Sequence, residues 1–127
     1  DQIEYGVGIH GERGTAVLPM APADQLVDKL VQSVLAGFDG RASSEVLLFV
    51  NGLGATPLGE LYLVYNTARR LLEAEGINVN RSLVGSYATC LDMVGCSITV
   101  TFLDDELREY WDSPVKTAAF SQDSNEY

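Results

Sequence analysis

The chain has 127 residues, 46% of them hydrophobic, with 18 Asp and Glu against 8 Lys and Arg and a formal net charge of −10. That length holds one domain with a real core, and the hydrophobic share excludes a disordered composition. The acidic balance argues against nucleic acid and against an anionic membrane surface, since phosphate neutralisation needs clustered Lys and Arg.

The chain opens on Asp1 and enters a strand within two or three residues, an entry abrupt enough to imply sequence missing upstream. Ile3 to Ile9 reads as a strand weakened by glycines, which mark close approach. Residues 11–20 read as loop. A first helix is expected after Ala21-Pro22, with Pro22 near its first turn and Leu26, Val27, Leu30, Val31, Val34 and Leu35 as its apolar stripe. Gly37 to Ser44 carries the turn signals that end it. Glu45 to Val50 is a short apolar run, expected of a covered or central strand, and it stops at Asn51-Gly52-Leu53-Gly54-Ala55-Thr56-Pro57.

A second helix is expected over Leu58 to Ala74, with Gly76 as its C-terminal cap. Ile77 to Arg81 and Ser97 to Leu103 alternate as strands, the latter with Ile98, Val100 and Phe102 on one face. A short helix runs from Asp104-Asp105 through Trp111, ended by Pro114, and Val115 to Phe120 adds a last strand. The order β-α-β-α-β-β-α-β predicts an α/β fold, a two-layer sandwich of helices on a mixed β-sheet of about four to six strands. The polar tail from Ser121 is expected to be disordered. The longest apolar run falls far short of a membrane span, and no signal-peptide or lipidation pattern is seen, so a cytoplasmic protein is expected.

Among residues that carry chemistry, His10 stands apart as the single histidine, framed by Gly6, Gly8, Gly11 and Gly14. An uncharged imidazole offers one basic and nucleophilic nitrogen, and glycines let a ligand approach closely. The bland alternative is a strand-end histidine that satisfies a backbone carbonyl. The glycine segment at residues 51–54 has no P-loop or dinucleotide spacing and no adjacent lysine, so a packing or interface turn is favoured over nucleotide binding. Asp104-Asp105-Glu106 suits a helix N-terminus better than a metal site. Cys90 and Cys96 lack the partners of a zinc site and are expected to be free thiols.

Several segments together resemble the second half of the substrate-binding unit of dihydroxyacetone kinases. They are Ile3 to Glu12, Val50 to Leu58 followed by Glu60-Leu61-Tyr62, then Leu91-Asp92-Met93 with Ser97-Ile98-Thr99, Asp104 to Leu107, and Trp111 to Val115. The resemblance covers about residues 2–120, and the domain is drawn as 1–120 with a tail at 121–127. It implies that His10 binds the ketose covalently as a hemiaminal, holding dihydroxyacetone or a related small ketose for phosphoryl transfer to a hydroxyl. A non-enzymatic dihydroxyacetone-sensing coactivator on the same scaffold is the alternative.

It implies no cofactor and no metal in this chain. The general base would come from a missing N-terminal half. ATP-Mg, or an ADP-bearing phosphotransfer partner, would sit on another nucleotide-binding domain or subunit. A homodimer is expected, and the isolated fragment is expected to be inactive. Three positions depart from the family pattern: Arg13, where proline is common, and Cys90 and Cys96, where serine and phenylalanine are more usual.

Overall fold

The structure is a computed structural model that describes residues 2–8, 10–38 and 45–123. Within these residues the order is β1 (Gln2–Tyr5), β2 (Ala16–Pro19), α1 (Ala23–Ala36), β3 (Glu45–Gly54), α2 (Leu58–Ala74), β4 (Asn78–Gly85), β5 (Val94–Phe102), α3 (Asp105–Asp112), β6 (Val115–Lys116) and β7 (Ser121–Gln122). The main sheet has the order β4-β3-β5. Strand β3 runs parallel to β4, with α2 as the crossover between them, and antiparallel to β5. The sheet is therefore mixed, as the element order predicts.

Alternation along β3 sends Val46, Leu48 and Val50 to the face that the helices cover. There they join Val27 and Val31 of α1, Leu61, Ala68 and Leu72 of α2, and Val79 of β4 in one core. Ile98, Val100 and Phe102 of β5 pack against it from the edge, the face the sequence alternation assigned to them. The two helices are tied by a polar contact, in which the buried Thr67 hydroxyl donates to Asp24 Oδ1 at 2.6 Å.

Helix α2 ends as Gly76 predicts. Gly76 lies at φ +78°, its N–H reaches the Glu73 carbonyl, and the Ile77 N–H reaches back to that of Leu72. This double bond pattern satisfies the last carbonyls at a position that a side chain rarely tolerates.

The C-terminal segment is fastened to the rest by ion pairs and rings. The Arg81 guanidinium forks onto both carboxylate oxygens of Asp112 at 2.7 Å each. Arg108 reaches Glu45 at 2.8 Å. Phe49, Tyr87 and Phe120 form a chain of ring contacts at 5.9 and 5.8 Å.

Several expectations change, among them two strand lengths, since β4 runs past Arg81 to Gly85 and β5 starts at Val94 instead of Ser97. The first strand ends at Tyr5 because Gly6 turns the chain at φ +71°. Residues 16–19, read as loop, form β2 and pair with β1 in a hairpin. Four residues are too few for period-two alternation to stand out. Strand β3 continues through the glycine segment to Gly54, because β5 pairs with it along that whole length. The main sheet has three strands, short of the four to six expected, since β1-β2 and β6-β7 are separate two-stranded sheets. At the C-terminus, Val115–Lys116 pairs with Ser121–Gln122, so the strand expected through Phe120 is cut to two residues, and the start of the polar tail supplies its partner. The turn expected over Gly37 to Ser44 falls mostly, at residues 39–44, outside the described residues, as does the tail at 124–127.

The half-buried fork at Arg81 should matter more than an exposed pair. Asp112→Ala should lower unfolding free energy in urea by about 2 kcal/mol, because it strands a part-buried guanidinium. Glu73→Ala, which breaks the exposed 2.7 Å pair with Arg69 on α2, should cost less than about 0.5 kcal/mol.

Candidate functional site

His10 lies in the loop that joins β1 to β2, and it is exposed. The loop is closed at its base by the Thr15 N–H to Tyr5 carbonyl bond at 2.8 Å and by the Gly14 N–H to Glu4 Oε1 at 2.9 Å. Nearer its tip, the Gly8 N–H meets the Glu12 carbonyl and the Gly11 N–H meets that of Gly8, both at 3.0 Å. The His10 backbone N–H donates to Glu12 Oε2, also at 3.0 Å. Among the described residues the imidazole itself makes no hydrogen bond, so the bland expectation of a ring satisfying a backbone carbonyl is not what this loop shows. The hairpin is anchored by the Tyr5 hydroxyl, which donates to the Lys29 carbonyl of α1 at 2.8 Å and shares a 2.6 Å hydrogen bond with Ser33 Oγ.

The glycine segment does a different job. Asn51 is 2% exposed, and its side-chain oxygen accepts from the N–H groups of Tyr87 and Ala88 at 2.9 and 3.0 Å. Its amide nitrogen donates to the Ala88 carbonyl at 2.7 Å. One side chain thus satisfies three backbone groups of the β4–β5 connection. Gly52 leaves room for Ser86 and Leu61, which a Cβ there would meet at 2.5 and 2.9 Å. Gly54, at φ +70°, lies directly against the Met93 backbone.

The amides of this segment are already used. The Gly54 N–H donates to Thr89 Oγ1 and the Ala55 N–H to the Met93 carbonyl. With Glu60 in the first turn of α2 as well, the segment does not fit a phosphate, which needs free N–H groups and no nearby acid. It is the packed end of strand β3 and not the turn that its composition suggests.

The acidic run at 104–106 is likewise structural. Asp104 caps α3 by accepting the Leu107 N–H at 2.8 Å, Asp105 pairs with Arg108, and Glu106 accepts from the Tyr110 hydroxyl. Both cysteines are free. Cys96 packs on the helix side of the sheet, where burial pushes its thiol pKa up. The Cys90 thiol instead meets the Met93 sulfur at 3.5 Å, in an open depression bounded by Gly54, Thr89 and Val94. His10 does not line that depression, so the structure does not bring Cys90 and His10 together there.

Residues 1–119 match the Dak1 domain. The chain belongs to the Dak1 domain family.

The chain is 38% identical over 122 residues to the PTS-dependent dihydroxyacetone kinase 2, dihydroxyacetone-binding subunit DhaK, of Listeria innocua serovar 6a, covering 96% of this chain and 37% of that relative. A solved structure described under regulation of the dha operon of Lactococcus lactis superimposes with a TM-score of 0.92 at 33% identity, over 100% of this chain and 40% of that one. The dihydroxyacetone kinase operon co-activator Dha-DhaQ superimposes with a TM-score of 0.83 at 35% identity, over 90% and 36%. The chain thus spans roughly two fifths of the length of these Dak1 proteins.

Two residues that organise the site region carry no strong signal in the sequence. Asn51 reads as part of a turn, although an Asn at the end of an apolar strand is a known source of side-chain bonds to backbone. Glu12 is visible only as the acid after a glycine.

Two measurements check these assignments. Asn51→Ala leaves three part-buried backbone groups without their partner and should destabilise the fold by about 2–4 kcal/mol in a denaturant titration. The raised pKa of Cys96 means that the folded chain keeps its proton at pH values where the unfolded chain loses it. That contribution to stability is therefore present below the unfolded pKa and falls as pH rises through and above it. In native alkylation at pH 8 Cys90 should react first, with Cys96 labelled at an appreciable rate only once denaturant opens the core.

Proposed function

We propose that this chain is the C-terminal half of a dihydroxyacetone kinase substrate-binding unit, residues 1–120, and that His10 is the covalent anchor for the ketose. The observation that supports it most is a sole histidine, exposed on a glycine-framed loop, whose ring makes no hydrogen bond among the described residues, in a chain of the Dak1 family. A neutral ring nitrogen adds its lone pair to the ketone carbon, and the carbonyl π pair moves to oxygen. That oxygen gains a proton while the other ring nitrogen gives up its own, leaving a neutral hemiaminal.

Unlike a lysine amine, the attached nitrogen has no second proton to lose, so no neutral imine forms and the bond stays reversible. The reaction selects a ketone over glycerol, which has similar hydroxyls but no electrophilic carbon, by a group that only one of them possesses. The anchored ketose, a triose or a tetrulose, then presents a terminal hydroxyl whose placement supplies much of the catalysis of phosphoryl transfer.

In this reading the general base lies in a preceding half of the unit, and the phosphoryl donor, ATP-Mg or an ADP-bearing phosphotransfer partner, is bound by another domain or subunit of a cytoplasmic, homodimeric assembly. The used amides of Gly54 and Ala55, at the end of β3, agree with a donor held elsewhere. The isolated chain should not transfer phosphate. The likeness to a kinase operon co-activator favours one second reading, in which His10 binds the ketone and no transfer follows.

Carbon-13 dihydroxyacetone labelled at C2 distinguishes these outcomes. The protein that carries this chain at its natural length should show a bound tetrahedral C2 signal, and His10→Ala should abolish it and weaken binding at least about a hundredfold. A bound tetrahedral signal that persists in His10→Ala would sink the assignment. Ketone binding without turnover, in the presence of each donor class, would select the co-activator reading.

A further inference from the structure

The loop of residues 6–15 spans the two strands of the hairpin with ten residues, far longer than a tight turn needs. Such a loop orders a side chain at its tip only if its own backbone is fixed. The hydrogen bonds within it show how. The Gly8 and Gly11 amides bond to backbone carbonyls inside the loop, whereas the His10 amide bonds to a side chain, the carboxylate of Glu12. That carboxylate folds back across Gly8, where a Cβ would meet the Glu12 Cβ and Cδ at 2.7 Å. Gly8 is glycine for room. Gly11, with nothing within 4 Å of a Cβ, is glycine for its φ of +84°. The spacing Gly8-x-His10-Gly11-Glu12 is therefore a single device, in which two glycines allow the acid at 12 to hold the backbone of residue 10.

We propose that Glu12 is a positioning residue for His10: its carboxylate fixes the His10 backbone so that the ring nitrogen meets a ketone at bonding distance. This rests on the role proposed above for His10. Covalent addition is more sensitive to such placement than ordinary contact, because the reacting atoms must be brought within bonding reach and in line. Glu12 does not touch the ketone in this scheme, and being exposed it contributes little to the stability of the fold. Reach and an acceptor oxygen matter here more than charge. Glutamine keeps both the length and an acceptor oxygen, aspartate is one methylene short, and alanine has no acceptor.

The test compares Glu12→Gln, Glu12→Asp, Glu12→Ala and His10→Ala in the protein at its natural length, by two measurements. Amide hydrogen exchange without ligand reads the clasp alone: Glu12→Ala should speed exchange at His10 by about tenfold or more, with thermal stability held within a degree or two. Titration with C2-labelled dihydroxyacetone reads the coupling. Glu12→Ala and Glu12→Asp should weaken tetrahedral-adduct formation by about tenfold, and Glu12→Gln should restore it to within about twofold of the parent.

Exchange at His10 that is unchanged in Glu12→Ala overturns the clasp. Faster exchange with undiminished adduct affinity, or a Glu12→Gln as weak as Glu12→Ala, overturns positioning. An adduct indifferent to His10→Ala instead removes the proposed function itself, and with it this role, while the exchange result still reports whether the clasp exists.

Discussion

Strand β3 is hydrogen-bonded on both edges, in parallel to β4 and in antiparallel register to β5, and its side chains are covered on both faces. A strand in that position admits no register error, since a slip of one residue would send Val46, Leu48 and Val50 away from the helices and bring Leu47, Phe49 and Asn51 toward them. Four other elements take their places from it. Helices α1 and α2 cover its apolar face, β4 and β5 are aligned by its backbone, and Asn51 at its far end gathers the connection between those two strands. The glycines at 52 and 54 follow from the same constraint, because Leu61, Ser86 and the Met93 backbone crowd the strand where it ends.

The hairpin with His10 obeys a different logic. It adds nothing to the main sheet, and its loop is organised by two carboxylates, Glu4 at the base and Glu12 at the tip, acting on backbone N–H groups. Each carboxylate accepts a backbone N–H, so acids on a chain already at −10 serve here to fix the loop. The ring they frame is left unengaged among the described residues. A side chain free of internal partners on a backbone with several is what a ligand anchor requires, since the backbone supplies order and the ring keeps its nitrogen available.

The sequence made some of this legible for physical reasons. Helix α2 could be bounded at Leu58 and Ala74 because Pro57 and Gly76 are local signals, decided by φ alone, and tertiary context did not override them. The alternation of β5 is legible because Ile98, Val100 and Phe102 are half-buried against the core while Thr99 and Thr101 are exposed. The hairpin strand at residues 16–19 was hidden, as its pairing partner lies eleven or more positions away and four residues carry no period. The extension of β3 through Asn51-Gly52-Leu53-Gly54 was hidden for the opposite reason. Those residues are turn formers by propensity, held extended by neighbours that only the fold supplies. At the site, His10 stands out in the sequence as a single histidine among glycines and Asn51 only as a turn residue, because a side chain that bonds to backbone leaves no pattern in composition.

Tyr5 reaches α1 with its hydroxyl, and this tether bears on how the molecule moves. Backbone bonding in the hairpin runs between its own two strands, so its opening and closing need not disturb β3 or the helices. Local opening and global unfolding are then separate events with separate free energies. A substitution in the sheet core can lower the melting temperature and leave the His10 loop as it was, while one at Tyr5 can loosen the loop in a protein that melts where its parent does. Thermal stability is therefore a poor proxy for the condition of the His10 loop, and variants of this chain are better ranked by protection of the hairpin amides than by the heat they survive.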